Sequence, residues 1–90
     1  MQSGGRLLVE CLEAQGVTTG FGVPGESYLD VLDALTDSAI NFVCCRQEGG
    51  AAYSAAAWGR LTGDPGVVFV TRGPGATNAS VGLHLSLIHI

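Results

Sequence analysis

The residues best suited to chemistry lie in three glycine-rich loops, and the middle loop contains Glu48. The loops span residues 23–26, 46–50 and 72–78. Two glycines and an alanine-rich stretch follow Glu48, so Arg46 is the nearest possible ion-pair partner for its carboxylate along the chain. A carboxylate beside an apolar helix is a candidate for a working role. The plain alternative is a first-turn glutamate, which the helix dipole favours by about 0.3–1 kcal/mol.

A second pattern is G-x-G-x-x-G, which Gly20, Gly22 and Gly25 form. This spacing is typical of dinucleotide-binding loops, so a Rossmann-like nucleotide-binding domain is an alternative function. The context is poor because Gly20 and Gly22 fall inside an apolar strand-like run. Pro24 also lacks a backbone N–H where phosphate-binding donors are needed.

Alternating helices and strands must position these loops. Helices are predicted at residues 3–15, 27–36 and 48–61 and from Gly75 onward, and strands at 17–23, 40–45 and 66–71. This order predicts an α/β fold with a parallel sheet and helices on both faces. Ligands meet such sheets at the carboxyl ends of the strands, where all three loops fall.

Apolar positions predict which faces of these elements are buried. In the first helix the buried face comprises Leu8, Cys11, Leu12 and Gln15, and in the second it comprises Tyr28, Val31, Leu32 and Leu35. The second and third strands are nearly continuous apolar runs, which is typical of strands buried on both faces of a parallel sheet.

The third helix carries a ridge of small residues formed by Ala51, Ala55 and Gly59. Such a ridge allows another element to approach closely. Two interpretations stay open on these residues alone: packing onto the chain's own sheet, or an interface with another subunit. Tyr53 and Trp58 lie off the ridge and could anchor either arrangement.

Composition excludes several classes of function. Eight acidic residues outnumber four scattered arginines, so we expect no nucleic-acid partner. No run approaches the ~20 apolar residues of a membrane helix, and no signal peptide precedes the first helix, so we expect no membrane partner. Cys44 and Cys45 are interpreted as small buried side chains of a cytoplasmic protein. His84 and His89 lack partners at ligand spacing, so no metal site is predicted.

The three loops, taken in order, resemble the N-terminal pyrimidine-binding domain of thiamine-diphosphate-dependent enzymes. The motifs are FGVPGE at residues 21–26, RQEGGAA at 46–52 and TRGPGATN at 71–78. The branch of acetolactate synthase, pyruvate oxidase and benzoylformate decarboxylase is the most similar. The resemblance covers residues 5–84 and the predicted order of helices and strands.

This resemblance implies roles for individual residues. Glu48 is the expected catalytic carboxylate, which hydrogen-bonds a ring nitrogen of the cofactor's aminopyrimidine and thereby activates it for attack on a 2-keto acid. The expected cofactor-binding residues are Pro24, Gly25, Glu26, Glu48, Gly75 and Asn78. Glu26 falls where decarboxylases carry an acidic residue and many acetolactate synthases have glycine. Gln47 stands where family members often have histidine.

The resemblance also sets expectations for cofactors, partners and domain limits. Thiamine diphosphate is the expected cofactor, Mg²⁺ is held by a domain outside these residues, and FAD is bound by some family members. We expect a homodimer or homotetramer that forms through the helix of Ala51, Ala55 and Gly59. Residues 1–84 form a partial pyrimidine-binding domain that is incomplete at its C-terminal end, and 85–90 form an aberrant or truncated tail. The chain alone is then inactive, and a non-catalytic α/β interaction module is a further alternative.

Overall fold

The computed structural model describes residues 3–88, and the side chains of residues 3–85. The elements are α1 (Gly4–Ala14), β1 (Thr19–Gly22), a 3₁₀ turn (Glu26–Tyr28), α2 (Leu29–Thr36), β2 (Asn41–Cys44), α3 (Glu48–Thr62), β3 (Val67–Phe69) and α4 (Pro74–Ile88). All three strands are parallel, in the order β2-β1-β3. The carboxyl ends of the strands therefore share one edge of the sheet.

Short-range interactions explain where the helices begin and end. The Ser3 hydroxyl accepts a hydrogen bond from the Arg6 amide at 3.1 Å and caps the start of α1. Gly16 follows α1 with a φ of 86°, and Gly63 ends α3 with a φ of 79°. Glycine adopts this left-handed conformation without the clash that a side chain would cause.

Alternation along β1 divides its residues between the two faces of the sheet. Phe21 points toward α3, where its ring meets Trp58 edge-on with a centroid distance of 6.2 Å. Gly20 and Gly22 point the other way, toward the rings of Phe69 and Phe42. On that second face the sheet packs against α1 and α2 around a core of Val9, Val31, Ala34, Leu35 and Ile40. The predicted α/β fold with helices on both faces is confirmed.

The buried face of α1 differs from the prediction. Its buried residues are Gly5 and Val9, whereas Leu8, Cys11 and Gln15 are exposed. A Cβ on Gly5 would lie 2.5 Å from the backbone of α2 at Asp30, so this glycine sets a close crossing of the two helices. That crossing turns Val9 inward instead of Leu8. The predicted stripe on α2 is confirmed, because Val31 and Leu35 are buried and Tyr28 and Leu32 pack partly against the core.

The prediction that β2 is buried on both faces is wrong. Asn41, Val43 and Cys44 are exposed, and Phe42 is half-buried. β2 lies at the edge of the sheet, next to β1 alone. An apolar run of strand length does not reveal whether the strand occupies the centre or the edge.

The small-residue ridge of α3 is largely covered by the chain itself. Ala51 is 0% exposed and Ala55 is 5% exposed. A Cβ on Gly66 would lie 1.8 Å from the Ala55 carbonyl oxygen, so the segment before β3 runs directly over the ridge. Ala51 and Ala55 therefore pack closely within the chain itself, and a subunit interface through this helix stays a prediction. Gly59 is half-buried at the end of the ridge.

The last helix continues beyond the predicted domain limit at His84. Residues 85–88 extend α4, while His89 and Ile90 of the predicted tail lie outside the described residues. Within residues 3–88, no helix combines the length and the apolar character needed to cross a membrane.

Candidate functional site

Glu48 lies at the carboxyl edge of the sheet, as the first residue of α3. Its Oε1 accepts a hydrogen bond from the Asn78 side-chain amide at 3.2 Å. Its Oε2 lies 3.5 Å from the position that a Cβ on Gly75 would occupy. The fold thus brings together one residue of the second loop and two residues of the third, which are 27 or more positions apart in the sequence. Glu48 as a whole residue is half-buried, and its hydrogen bond to Asn78 is exposed.

Gln47, and not Glu48, caps the start of α3. The side-chain Oε1 of Gln47 accepts hydrogen bonds from the amides of Gly49 at 2.6 Å and Gly50 at 3.2 Å. These are the first-turn N–H groups that an acidic side chain at a helix start would otherwise serve. Because Gln47 already satisfies them, the Glu48 carboxylate faces Asn78 across the edge of the sheet. The helix dipole still favours Glu48 in the first turn, and the hydrogen bond to Asn78 is what the structure adds to that interpretation.

Thr71 connects the first loop with the third. Its hydroxyl lies 2.9 Å from the Ser27 hydroxyl, which donates to it. Its side chain also fills the space between two glycines: a Cβ on Gly25 would lie 2.9 Å from Thr71 Cβ, and a Cβ on Gly75 would lie 2.8 Å from Thr71 Cγ2. Only glycine fits at these two positions while Thr71 stays in place.

Tyr28 connects the carboxyl ends of β1 and β3 next to the site. Its hydroxyl donates to the Val23 carbonyl oxygen, and the Phe69 carbonyl oxygen lies 3.4 Å from the same hydroxyl. Burial raises the pKa of the phenol above its ordinary value, and the nearby negative charges of Cys44 and Glu48 raise it further. Tyr28 is therefore a neutral hydrogen-bond donor that joins the ends of β1 and β3.

Two predicted cofactor residues lie beside this cluster rather than in its contacts. Pro24 is exposed and lines a hollow together with Leu32 and Cys44. Glu26 is exposed and lines a different hollow together with Gly5. Thr71 packs against Gly25 and Gly75, and Gly75 and Asn78 lie beside Glu48. The cofactor-binding roles of all six residues stay predictions.

Sequence reasoning assigned no role in the site to four residues that shape it: Ser27, Tyr28, Gln47 and Thr71. Glutamine is not a preferred capping residue, and Tyr28 fits an apolar helical stripe equally well. The hydroxyls of Ser27 and Thr71 carry a weak signal, since both belong to the segments that surround the glycine loops. Their pairing across 44 positions depends on the sheet order.

The G-x-G-x-x-G pattern has a different role from phosphate binding. Gly20 and Gly22 lie within β1. A Cβ on Gly20 would lie 2.7 Å from the Phe69 ring, and one on Gly22 would lie 2.5 Å from the Phe69 carbonyl oxygen. These glycines let the sheet pack closely, so the nucleotide-binding interpretation is wrong for them. Among the described residues, no cluster of three or more His, Cys, Asp and Glu side chains could hold a metal ion.

The fold agrees with a comparison against families of known proteins. Residues 2–87 match the family described as thiamine pyrophosphate enzyme, N-terminal TPP binding domain. The match covers almost the whole chain, and the chain belongs to this family.

Relatives within the family carry a more particular name. Acetolactate synthase of Bacillus subtilis (strain 168) is 52% identical over 80 residues, which cover 89% of this chain and 14% of that protein. Acetolactate synthase isozyme 2 large subunit of Escherichia coli (strain K12) is 45% identical over 86 residues, 96% of this chain and 16% of that protein. The chloroplastic acetolactate synthase of Arabidopsis thaliana is 42% identical over 88 residues, 97% of this chain and 13% of that protein. The chain therefore spans about one seventh of the length of these relatives.

Proposed function

We propose that this chain forms the pyrimidine-binding half of a thiamine diphosphate site in an enzyme of the acetolactate synthase type, which acts on 2-keto acids. Glu48 is the carboxylate that activates the cofactor. One observation carries the proposal: the Glu48 carboxylate stands at the ligand-binding edge of the sheet, oriented by Asn78 and not engaged in capping α3. The names of the relatives support the choice of reaction.

The residues around Glu48 fit an aminopyrimidine ring. A protonated ring nitrogen needs an acceptor, and the carboxylate of the half-buried residue Glu48 is one. Gly75 is buried, and its missing side chain leaves Oε2 of Glu48 open on that side. Partial burial strengthens a hydrogen bond to the carboxylate because the local dielectric constant is lower than that of water.

Residues of this chain hold a proton at the cofactor and orient the carboxylate that holds it. Glu48 holds a proton at the ring nitrogen, and Asn78 fixes the direction of the carboxylate. Gly75 presents no side chain to Oε2 of Glu48, while the Thr71 side chain fills the space between Gly75 and Gly25. When bound, thiamine diphosphate supplies the electron sink for decarboxylation of a 2-keto acid. We assign Mg²⁺ to residues outside this chain, and we assign FAD to none of its residues.

We also propose assembly as a homodimer or homotetramer. Since Ala51 and Ala55 are covered, the face available on this pair of helices is the outer side of α3 and α4. Tyr53 is 45% exposed there and Val81 is 42% exposed. Both residues are replaced by glutamate in a chimera that carries this chain in place of the matching segment of the Bacillus subtilis acetolactate synthase. Light scattering should then show monomers. An unchanged molar mass would place the interface elsewhere.

The experiment uses a chimera in which this chain replaces the matching segment of the Bacillus subtilis acetolactate synthase, to which it is 52% identical. Acetolactate formation from pyruvate, measured against thiamine diphosphate concentration, reports whether the segment functions. Glu48→Gln should abolish activity because the amide no longer offers a charged acceptor. Asp33→Asn, on the exposed side of α2, is the control that removes one charge without touching the site. Full activity of the Glu48→Gln chimera would remove Glu48 from the catalytic role and leave it as a helix-start residue.

A further inference from the structure

We propose that Thr71 and Ser27 act together as positioning residues that hold the first glycine loop against the start of α4. This inference rests on the proposed function, because Gly75, against which Thr71 packs, lies beside the Glu48 carboxylate. Neither Thr71 nor Ser27 is in hydrogen-bond contact with that carboxylate. Both act through Gly25 and Gly75, whose Cβ positions lie within 3.1 Å of the Thr71 side chain.

The hydroxyl pair fixes the orientation of the Thr71 side chain. Ser27 Oγ lies 2.9 Å from Thr71 Oγ1, and Ser27 belongs to the 3₁₀ turn that follows the first loop. Threonine has two heavy atoms on Cβ, so fixing the hydroxyl also fixes the methyl group. The hydrogen bond thus determines where Cγ2 points.

The methyl group and Cβ of Thr71 separate the two glycines. Cγ2 lies 3.1 Å from the Cβ position of Gly25 and 2.8 Å from that of Gly75. Thr71 therefore acts as a spacer in a gap that has no room for another methyl group. If the spacer turned away, the first loop and the start of α4 could shift relative to each other.

That shift would reach Glu48 through Gly75. The Gly75 Cβ position lies 3.5 Å from Oε2 of Glu48, and Asn78, one turn further along α4, holds Oε1 at 3.2 Å. A shift confined to the residues before Asn78 moves Gly75 relative to Oε2 of Glu48, while Asn78 keeps its hydrogen bond to Oε1. The expected effect is weaker binding of the cofactor, not slower chemistry once it is bound.

The test measures thiamine diphosphate dependence in the active chimera for Thr71→Val, Ser27→Ala and the double variant. Valine keeps the methyl group of Thr71 and removes its hydroxyl. Each single variant should raise the KM for thiamine diphosphate by about two- to tenfold, the effect of one hydrogen bond, with kcat at saturation unchanged. The double variant should match the single variants, because both remove the same bond. Ser27→Thr keeps the hydroxyl and should restore a KM near that of the parent.

Two sets of results would overturn the inference. Unchanged KM in all three variants, or a double variant in which the two effects multiply, would show that the pair does not position the loops. If Glu48→Gln still abolished activity in that case, the proposed function would stand alone. Full activity of Glu48→Gln would instead refute the proposed function, and the positioning role would fall with it.

Discussion

The crossing of α3 and α4 predicts opposite effects for two glycine-to-alanine substitutions within helices. A Cβ on Gly82 would lie 2.3 Å from the Ala52 Cβ and 2.8 Å from the Ala52 carbonyl carbon. Carbon atoms in contact normally lie about 3.5–4.0 Å apart, so Gly82→Ala must push the helices apart by about 1 Å or more. Backbone atoms cannot rotate away as a flexible side chain can.

The magnitude follows from two opposing effects. Overpacking of a tight core contact costs about 1–3 kcal/mol, and a clash with backbone belongs at the upper end of that range. Alanine gains about 1 kcal/mol over glycine in a helix. The net loss for Gly82→Ala is therefore about 2 kcal/mol. Gly50 lies in α3 with nothing within 4 Å of its Cβ position, so Gly50→Ala should stabilise the chain by about 0.5–1 kcal/mol.

Pulse proteolysis across a urea series suits this measurement, because it works at concentrations too low for aggregation. With a urea m-value of about 1–3 kcal/mol/M, Gly82→Ala should lower the unfolding midpoint by about 1–2 M. Gly50→Ala should raise it by about 0.5 M. Equal midpoints for the two variants would refute the close crossing of α3 and α4.

Three further predictions concern the site and its supports. The raised pKa of Tyr28 means that its stabilisation is complete below about pH 10 and is lost at higher pH. The excess stability of the parent over Tyr28→Phe should therefore shrink above pH 10 in the urea assay, and a difference that stays constant through this range would contradict the prediction. Gln47→Ala should lower the free energy of unfolding by about 1 kcal/mol through loss of the α3 cap, and Gln47→Ser should restore most of it, whereas equal losses would argue against capping. The isolated chain, titrated calorimetrically with thiamine diphosphate and Mg²⁺, should bind weakly because it supplies half of the site; tight binding would contradict that division.

Local sequence patterns predict where the helices and strands lie better than they predict what each element packs against. Ser3 and Gly16 marked the ends of α1, and the apolar stripe of α2 was confirmed. The burial of Val9 in place of Leu8 depends on how closely Gly5 approaches α2, which periodicity does not contain. The edge position of β2 depends on sheet order, since its apolar run would suit a central strand equally well.

The same distinction holds for the candidate site: the sequence indicates Glu48 itself but not the contacts that orient it. Glu48 stood out because its carboxylate has few polar neighbours along the chain, and the glycine loops marked the edge where it lies. The contacts that give it a direction come from Asn78, 30 positions away, and from a capping role for Gln47 that residue preference does not indicate. The ridge of Ala51 and Ala55 was ambiguous in the sequence, because small residues permit close packing without specifying the partner.

The most direct test of the role of Glu48 is the exchange of the C2 proton of bound thiamine diphosphate for deuterium in the chimera. This exchange reports activation of the cofactor separately from substrate binding and product release. Glu48→Gln should slow it by about a hundredfold or more, in the range typical of general acid–base groups, while Asp33→Asn leaves it at the parent rate. Exchange at the parent rate in Glu48→Gln, with the cofactor still bound, would contradict the central claim.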